Sequence, residues 1–253
     1  VSFLNTVPLV WGMLHGPQRD CFELEFQVPS VCADELAAGT ADIGIVPAIE
    51  LLRQDLDVIP GTCIACSGAV RSILLISKCP PGEVRTLAAD TNSRTSVQLA
   101  RIVLARRFGA EPELIPHPPD LGPMLEAADA AIVIGDPALR IDPAALPHRV
   151  FDLGVEWLDM TGLPMVFAVW GACKGIVTPA VEQAFLDSYR YGREHMEEII
   201  ATESAPRGMA PQLVREYLAR NVTFELGERE RAGMNEFLRL ARELPPAVSR
   251  SRA

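Results

Sequence analysis

The segment Asp34-Glu-Leu-Ala-Ala-Gly-Thr-Ala-Asp-Ile-Gly-Ile-Val-Pro-Ala-Ile-Glu-Leu-Leu52 leaves this chain few folds to choose from. It reads as the end of a helix, a glycine stop, a short apolar strand and a proline. Gly39 can take the left-handed conformation that closes a helix without Cβ strain. Ile43-Gly-Ile-Val46 is too short and too apolar for anything but a buried strand. Gly39 and Gly44 let helix and strand lie close together. Pro47 has no N–H to give to a ladder, so the strand ends there. In open α/β sheets ligands sit beyond the carboxyl ends of the strands, which puts Pro47 and Ala48 on the wall of a candidate site.

The N-terminal half alternates strand and helix signals, the pattern of a parallel sheet with crossover helices. Val1-Ser-Phe-Leu4 predicts the end of a first strand, and Asn5 or Thr6 stands as N-cap of a helix from Pro8. Phe22-Glu-Leu-Glu-Phe-Gln-Val28 alternates with period two, as a half-exposed strand does. Ser30 is placed to cap the helix ending at Gly39. A strand over 43–46, a short helix over 48–54 and strands over 57–65 and 72–77 follow. Cys79-Pro-Pro-Gly82 breaks the chain. Beyond it the pattern predicts strands over 86–89, 130–134, 150–154 and 165–170, and a helix over 92–107. From Pro179 the signal is helical, over 179–202, 210–220 and 228–243, with charge runs such as Glu228-Arg-Glu-Arg231 on solvated faces.

The expectation is an α/β chain of two lobes, with 1–78 plus 172–253 forming a discontinuous first lobe and 79–171 the second. That is the architecture of a two-lobed, periplasmic-binding-protein-like type II fold, with a ligand cleft between the lobes. Such an architecture does not by itself fix a function.

Composition narrows the partners. The 253 residues carry 33 acidic against 23 basic side chains, a net charge of −10, which argues against nucleic acid or an anionic membrane surface as partner. An anionic substrate would meet an opposing field, so local donors must bind it. No apolar run approaches a membrane span. The chain opens at Val1 without methionine, so a few residues are expected to be missing, and no secretory leader is read. Cys63-Ile-Ala-Cys66 has redox or half-zinc spacing, but no second close pair completes a metal site, and its flanks lack the basic residues that activate a thiol. The histidines, His15, His117, His148 and His195, are scattered. The expectation is no metal, no cofactor, and reduced, buried thiols in a cytoplasmic protein, with disulfides as the lesser alternative. A homodimer is left open.

Four turns would face the cleft. Ser2-Phe-Leu-Asn5-Thr-Val-Pro8 offers an amide side chain, and Arg71-Ser72 starts the strand that leads out of the first lobe. Asp90-Thr-Asn-Ser93-Arg94-Thr95-Ser96 is a hydroxyl-rich turn opening a helix, where free N–H groups and the helix dipole suit a carboxylate or phosphate. Gly135-Asp136-Pro137 follows an apolar strand, and Thr161-Gly-Leu-Pro-Met165 lies close to the second crossover. Each has a plainer reading: Asn5, Ser93, Thr95 and Asp136 as helix caps, Arg71 in a surface ion pair. Together they fall at strand ends, where this fold places ligands. No histidine, cysteine or paired carboxylate at these turns supplies an ordinary general base. The residues alone point to binding of a small anion.

Val1-Ser-Phe-Leu-Asn5-Thr-Val-Pro-Leu9, Ala41-Asp-Ile-Gly-Ile-Val-Pro-Ala48, Val70-Arg-Ser-Ile-Leu-Leu-Ile-Ser77 and Ser93-Arg-Thr-Ser96 together resemble the MqnA family, chorismate dehydratases that open the futalosine route to menaquinone. Gly135-Asp-Pro-Ala-Leu139, Phe151-Asp-Leu-Gly-Val-Glu-Trp157, Thr161-Gly-Leu-Pro-Met-Val-Phe-Ala168 and Asn221-Val-Thr-Phe-Glu-Leu-Gly227 extend the resemblance over nearly the whole chain. It implies loss of water from the dianion chorismate to give 3-(1-carboxyvinyloxy)benzoate. The family's asparagine falls on Asn5, which would orient the enolpyruvyl group or stabilise developing charge. The turn at 93–96 would take one carboxylate, Arg71-Ser72 would help with the other, and the substrate's own enolpyruvyl carboxylate would act as base. Two alternatives stay open: a solute-binding protein for a small carboxylate without chemistry, and a sister enzyme of the 1,4-dihydroxy-6-naphthoate synthase type.

Overall fold

The computed structural model describes residues 2–90 and 93–246. Among these residues nine strands form two sheets: β1 (Ile43–Pro47), β2 (Asp57–Cys66), β3 (Ile73–Ser77), β4 (Thr86–Asp90), β5 (Glu113–His117), β6 (Ala130–Ile134), β7 (Arg149–Asp152), β8 (Met165–Ala172) and β9 (Thr223–Glu225). The chain divides into two units, Val1–Ala65 with Val166–Arg231 and Cys66–Met165 with Ala232–Ala253.

The first unit holds the sheet β1-β8-β2-β9. The helix Pro29–Ala38 ends at Gly39 in the left-handed region (φ 68°), as its sequence predicts. Gly44 permits the close packing of that helix on β1, because a Cβ there would lie 2.5 Å from the Leu36 methyl Cδ1. Gly39 has open space around it and serves only the turn. Helices Val7–His15 and Pro179–Glu194 pack equally closely. A Cβ on Gly12 would sit 2.6 Å from the Ser188 Cα, and one on Gly192 would collide with the Pro8 carbonyl. The Ser188 hydroxyl, fully buried, donates to the Leu9 carbonyl (2.8 Å) and accepts from the Met13 N–H (3.2 Å) across this contact.

The second unit holds the sheet β5-β4-β6-β3-β7. β4 runs parallel to β5 and β6, while β3 is antiparallel to β6 and β7. One face buries Leu74, Ile76, Ala88, Ala131 and Val133 against Met124 and Leu125 of the helix Leu121–Ala127. The helix Glu228–Glu243 ends in this unit: Gly233 lies so close to the Pro164 carbonyl that a Cβ would collide with it. Trp157 donates its indole N–H to the same carbonyl (3.1 Å) and meets Phe237 edge-on.

Several expectations are corrected. β3 belongs to the second unit because both its edges are used there, so the chain leaves the first unit at 65/66 rather than near 78. It returns at 165/166 rather than near 172, and the chain beyond Arg231 joins the second unit. The strands of the N-terminal half do not form one parallel sheet: β4 and β5 run parallel, but β1 pairs antiparallel with β8 from far along the chain. Phe22–Val28 and the described residues before Leu4 form no strand, although Ser2 N–H donates to the Gln27 carbonyl (3.0 Å). The alternation at 22–25 reports burial, with Phe22 and Leu24 half-buried and Glu23 and Glu25 exposed, and not ladder pairing. Ser30 lies inside its helix, whose first position is Pro29. Residues 153 and 154, read as strand, begin the helix Leu153–Thr161. The long helix from Pro179 breaks at His195.

Gly192→Ala is expected to destabilise the protein by about 1–3 kcal/mol, the usual cost of overpacking a tight contact. Urea unfolding followed by circular dichroism measures it, and an unchanged midpoint would show that the two helices can separate freely.

Candidate functional site

In the first unit, Asn5 lies in a 3₁₀ turn, Leu4–Thr6, that runs straight into the helix Val7–His15. Neither Asn5 nor Thr6 caps that helix through its side chain. Instead the Asn5 Nδ2 donates to the Tyr217 hydroxyl oxygen at 3.1 Å. The Asn5 Oδ1 is buried with no hydrogen-bond partner among the described residues, as is the neighbouring Thr6 Oγ1. A buried acceptor left unmatched costs roughly 1–3 kcal/mol, so such atoms mark places where a partner is expected. Tyr217 is 212 residues away in sequence and opens a π turn, Tyr217–Asn221, a distortion frequent at functional sites. Nothing local in the sequence signals this pairing. Pro47 ends β1 opposite Ala168 and is buried, as is Ala48 after it. The turn Ala48–Leu52 is held by the buried Glu50, which accepts from Arg53 (3.1 Å) and Gln54 (3.0 Å).

In the second unit, the strand directions bring several predicted residues to one end of the sheet. The carboxyl ends of β4, β5 and β6 and the amino end of β3 share that edge, so Asp90, His117, Gly135 and Ser72 lie along it. The Gly135 N–H donates to the Ser72 carbonyl at 2.7 Å, and Gly135 itself is left-handed (φ 64°). Ser72 is buried, and its N–H donates to the Val70 carbonyl at 2.7 Å. Arg71, between them, has φ 62°, in a three-residue turn of the strained hand. Such strain persists only where the surroundings impose it. Here Asp152 imposes it: its carboxylate accepts from the N–H groups of Val70 (3.0 Å) and Arg71 (2.7 Å) while capping Gly154 (2.9 Å) and Val155 (3.3 Å). The Arg71 guanidinium has no carboxylate partner among the described residues, so the surface ion-pair reading does not hold. Sequence reasoning missed Asp152, although an Asp just before Leu-Gly-Val-Glu is a helix-start signal.

The turn after β4 reaches the helix Thr95–Phe108. Ser93, Thr95 and Ser96 are all buried, and Arg94 is half-buried. The Ser93 Oγ accepts from the Ser96 N–H (3.3 Å), so that hydroxyl does serve as a cap. Thr91 and Asn92 lie outside the described residues. Asp136 is half-buried in the first turn of the short helix Gly135–Leu139, which has no side-chain cap. Met165 is fully buried at the start of β8. Two predicted donors, Arg71 and the N-terminus at Thr95, thus belong to one unit and could hold an anion locally despite the chain's net charge.

All six cysteines are free thiols. Burial pushes the Cys66 thiol up to about 12, and burial raises Cys63 further. The pair therefore stays protonated and unreactive at neutral pH, against a redox role. Among the described residues no three His, Cys, Asp or Glu side chains group as metal ligands, and no helix is long and apolar enough to cross a membrane.

A family model described as menaquinone biosynthesis matches residues 1–243. A chorismate dehydratase of Thermus thermophilus is 30% identical, over 93% of this chain and 91% of that protein. Among solved structures, protein AF1704 of Archaeoglobus fulgidus superposes with a TM-score of 0.73 at 15% identity, covering 95% of this chain and 94% of its own. The periplasmic aliphatic sulphonate binding protein SsuA of Escherichia coli gives 0.65 at 16% identity, covering 95% of this chain and 84% of that one. At such identities the likeness concerns the fold, which is α/β and periplasmic-binding-protein-like.

Asp152→Ala removes a helix cap and the acceptor that pins the Arg71 turn. A loss of about 2 kcal/mol in urea unfolding is expected, and a variant within 0.5 kcal/mol (roughly the noise of an ordinary surface change) would deny the clamp any weight. A thiol reagent at neutral pH should label the exposed Cys21 at once and reach Cys63 and Cys66 only after denaturation. Mass mapping of the labelled peptides checks the order.

Proposed function

Because this chain belongs to the menaquinone-biosynthesis family, we propose that it is a chorismate dehydratase, a hydro-lyase that converts chorismate to 3-(1-carboxyvinyloxy)benzoate and water. The observation that carries the reading is the likeness to the Thermus chorismate dehydratase along nearly the full length of both chains. The ring loses its C4 hydroxyl and its C3 hydrogen and becomes aromatic, while the enolpyruvyl ether is kept. Aromatisation supplies much of the driving force, so the protein's task is chiefly to hold a dianion in a reactive geometry.

The side chains suit that task. Arg71, beside Ser72, offers a guanidinium without a carboxylate partner among the described residues. With the turn Ser93–Ser96 it is assigned to the two carboxylates. Asn5, whose Oδ1 is buried and unmatched, is assigned to orienting the enolpyruvyl group or stabilising developing charge. The base is assigned to the substrate's own enolpyruvyl carboxylate; His117, at the same end of the sheet, has its Nδ1 at 2.8 Å from the Pro118 carbonyl oxygen. A biosynthetic role of this kind supports a cytoplasmic location.

Incubation of the pure protein with chorismate tests the reading. Loss of the diene absorbance with appearance of an aromatic product supports it. Saturable binding of unchanged chorismate would instead favour a binding protein, and no interaction with chorismate would favour another substrate of the same route. Asn5→Ala and Asn5→Asp should lower kcat about a hundredfold or more while changing chorismate binding far less, as loss of a group that acts in the transition state does. Full activity in either variant would remove Asn5 from the mechanism.

A further inference from the structure

We propose that Tyr217 is the positioning residue for Asn5: its hydroxyl holds the Asn5 amide in the one orientation that serves the reaction. The assignment rests on the dehydratase reading above and adds a residue to it. Three observations lead to it. The Asn5 Nδ2 donates to the Tyr217 hydroxyl oxygen at 3.1 Å, which fixes the rotation of an amide that no other side-chain hydrogen bond restrains among the described residues. The opposite atom, Asn5 Oδ1, is thereby left buried and without a protein partner among those residues, the state expected of a group reserved for a ligand. Tyr217 also begins the π turn Tyr217–Asn221 at the end of the helix Pro211–Glu216, where its ring is 1% exposed.

The physical reason is conformational. A short amide side chain in a 3₁₀ turn can rotate about χ1 and χ2, and each unproductive rotamer takes population from the reactive one. A rigid phenol anchored in the core removes that freedom at the cost of a single hydrogen bond. Its buried ring is held by packing, so its hydroxyl stays where the turn needs it. Loss of the hydroxyl should therefore leave the fold and the binding of chorismate nearly intact and slow the chemical step.

Tyr217→Phe keeps the ring and removes only the hydroxyl. The expected result is a kcat lower by about tenfold, the effect of one well-placed hydrogen bond, with the chorismate dissociation constant within about twofold and native circular dichroism kept at the assay temperature. In nitrogen-labelled protein the Asn5 side-chain NH2 signals, assigned by their loss in Asn5→Ala, should shift in Tyr217→Phe. Combined with Asn5→Ala, the Tyr217 change should lower kcat no further, because the two residues act as one unit. A kcat within twofold of the parent, an additive loss in the double variant, or unmoved Asn5 signals would each overturn the assignment. A kcat lost together with the native circular dichroism at the assay temperature would also overturn it, in favour of a structural role. If the parent itself does not turn over chorismate, the dehydratase reading fails first and this assignment with it; if the parent is active and Tyr217→Phe equally so, only the assignment fails.

Discussion

The second unit depends on one carboxylate. Asp152 closes β7, caps the helix Leu153–Thr161 and accepts from the backbone of Val70 and Arg71, four N–H groups in all. A carboxylate accepting several backbone N–H bonds forms the stronger, charge-assisted kind of hydrogen bond. That is what allows a non-glycine residue to stay at φ 62° in a tight turn. The turn in turn sets where β3 begins, and β3 is entered through Ser72, whose carbonyl receives the Gly135 N–H. Helix start, strand entry and the left-handed Gly135 are therefore parts of one hydrogen-bonded assembly, which also holds the backbone of Arg71.

Charge and site pull in opposite directions in this chain. A net charge of −10 repels a dianion at long range, but exposed charges are screened beyond about 8–10 Å at physiological salt. Within that distance the proposed reading relies on the Arg71 guanidinium and the N-terminus of the helix Thr95–Phe108 to hold the anion. Some of the acidic side chains lie on exposed helix faces and pair there with arginines, as in Arg215 with Glu197 and Arg239 with Glu236 and Glu243. Such exposed pairs contribute little to stability.

Where sequence pattern and structure differ, a single physical cause recurs. Period-two alternation tracks burial only over Phe22–Glu25, since Phe26 is exposed and Gln27 half-buried, and burial alone does not make a strand, which also needs a ladder partner. The parallel pattern holds for β4 and β5 but fails for β1, which finds its neighbour in β8, beyond the whole of the sheet β5-β4-β6-β3-β7 in sequence. The crossings shift because an apolar run such as Ile73–Ser77 carries no mark of which sheet it joins; pairing with β6 and β7 decides that. Ser93 shows the opposite case, since a hydroxyl three residues before a helical N–H is a local signal, and it does form the cap.

Local chemistry in the sequence was enough to determine the α/β class, the left-handed stop at Gly39, the end of β1 at Pro47 and the family resemblance carried by Asn5, Arg71-Ser72 and Ser93–Ser96. These depend on residues a few positions apart, where backbone sterics and missing N–H groups act directly. Only the tertiary structure decided that Tyr217 meets Asn5, that Asp152 holds the Arg71 turn and that Gly192 admits the Pro8 carbonyl. Each joins residues far apart in the chain through one hydrogen bond or one close contact. A sequence records both partners of such a contact, but only the folded backbone sets the distance between them.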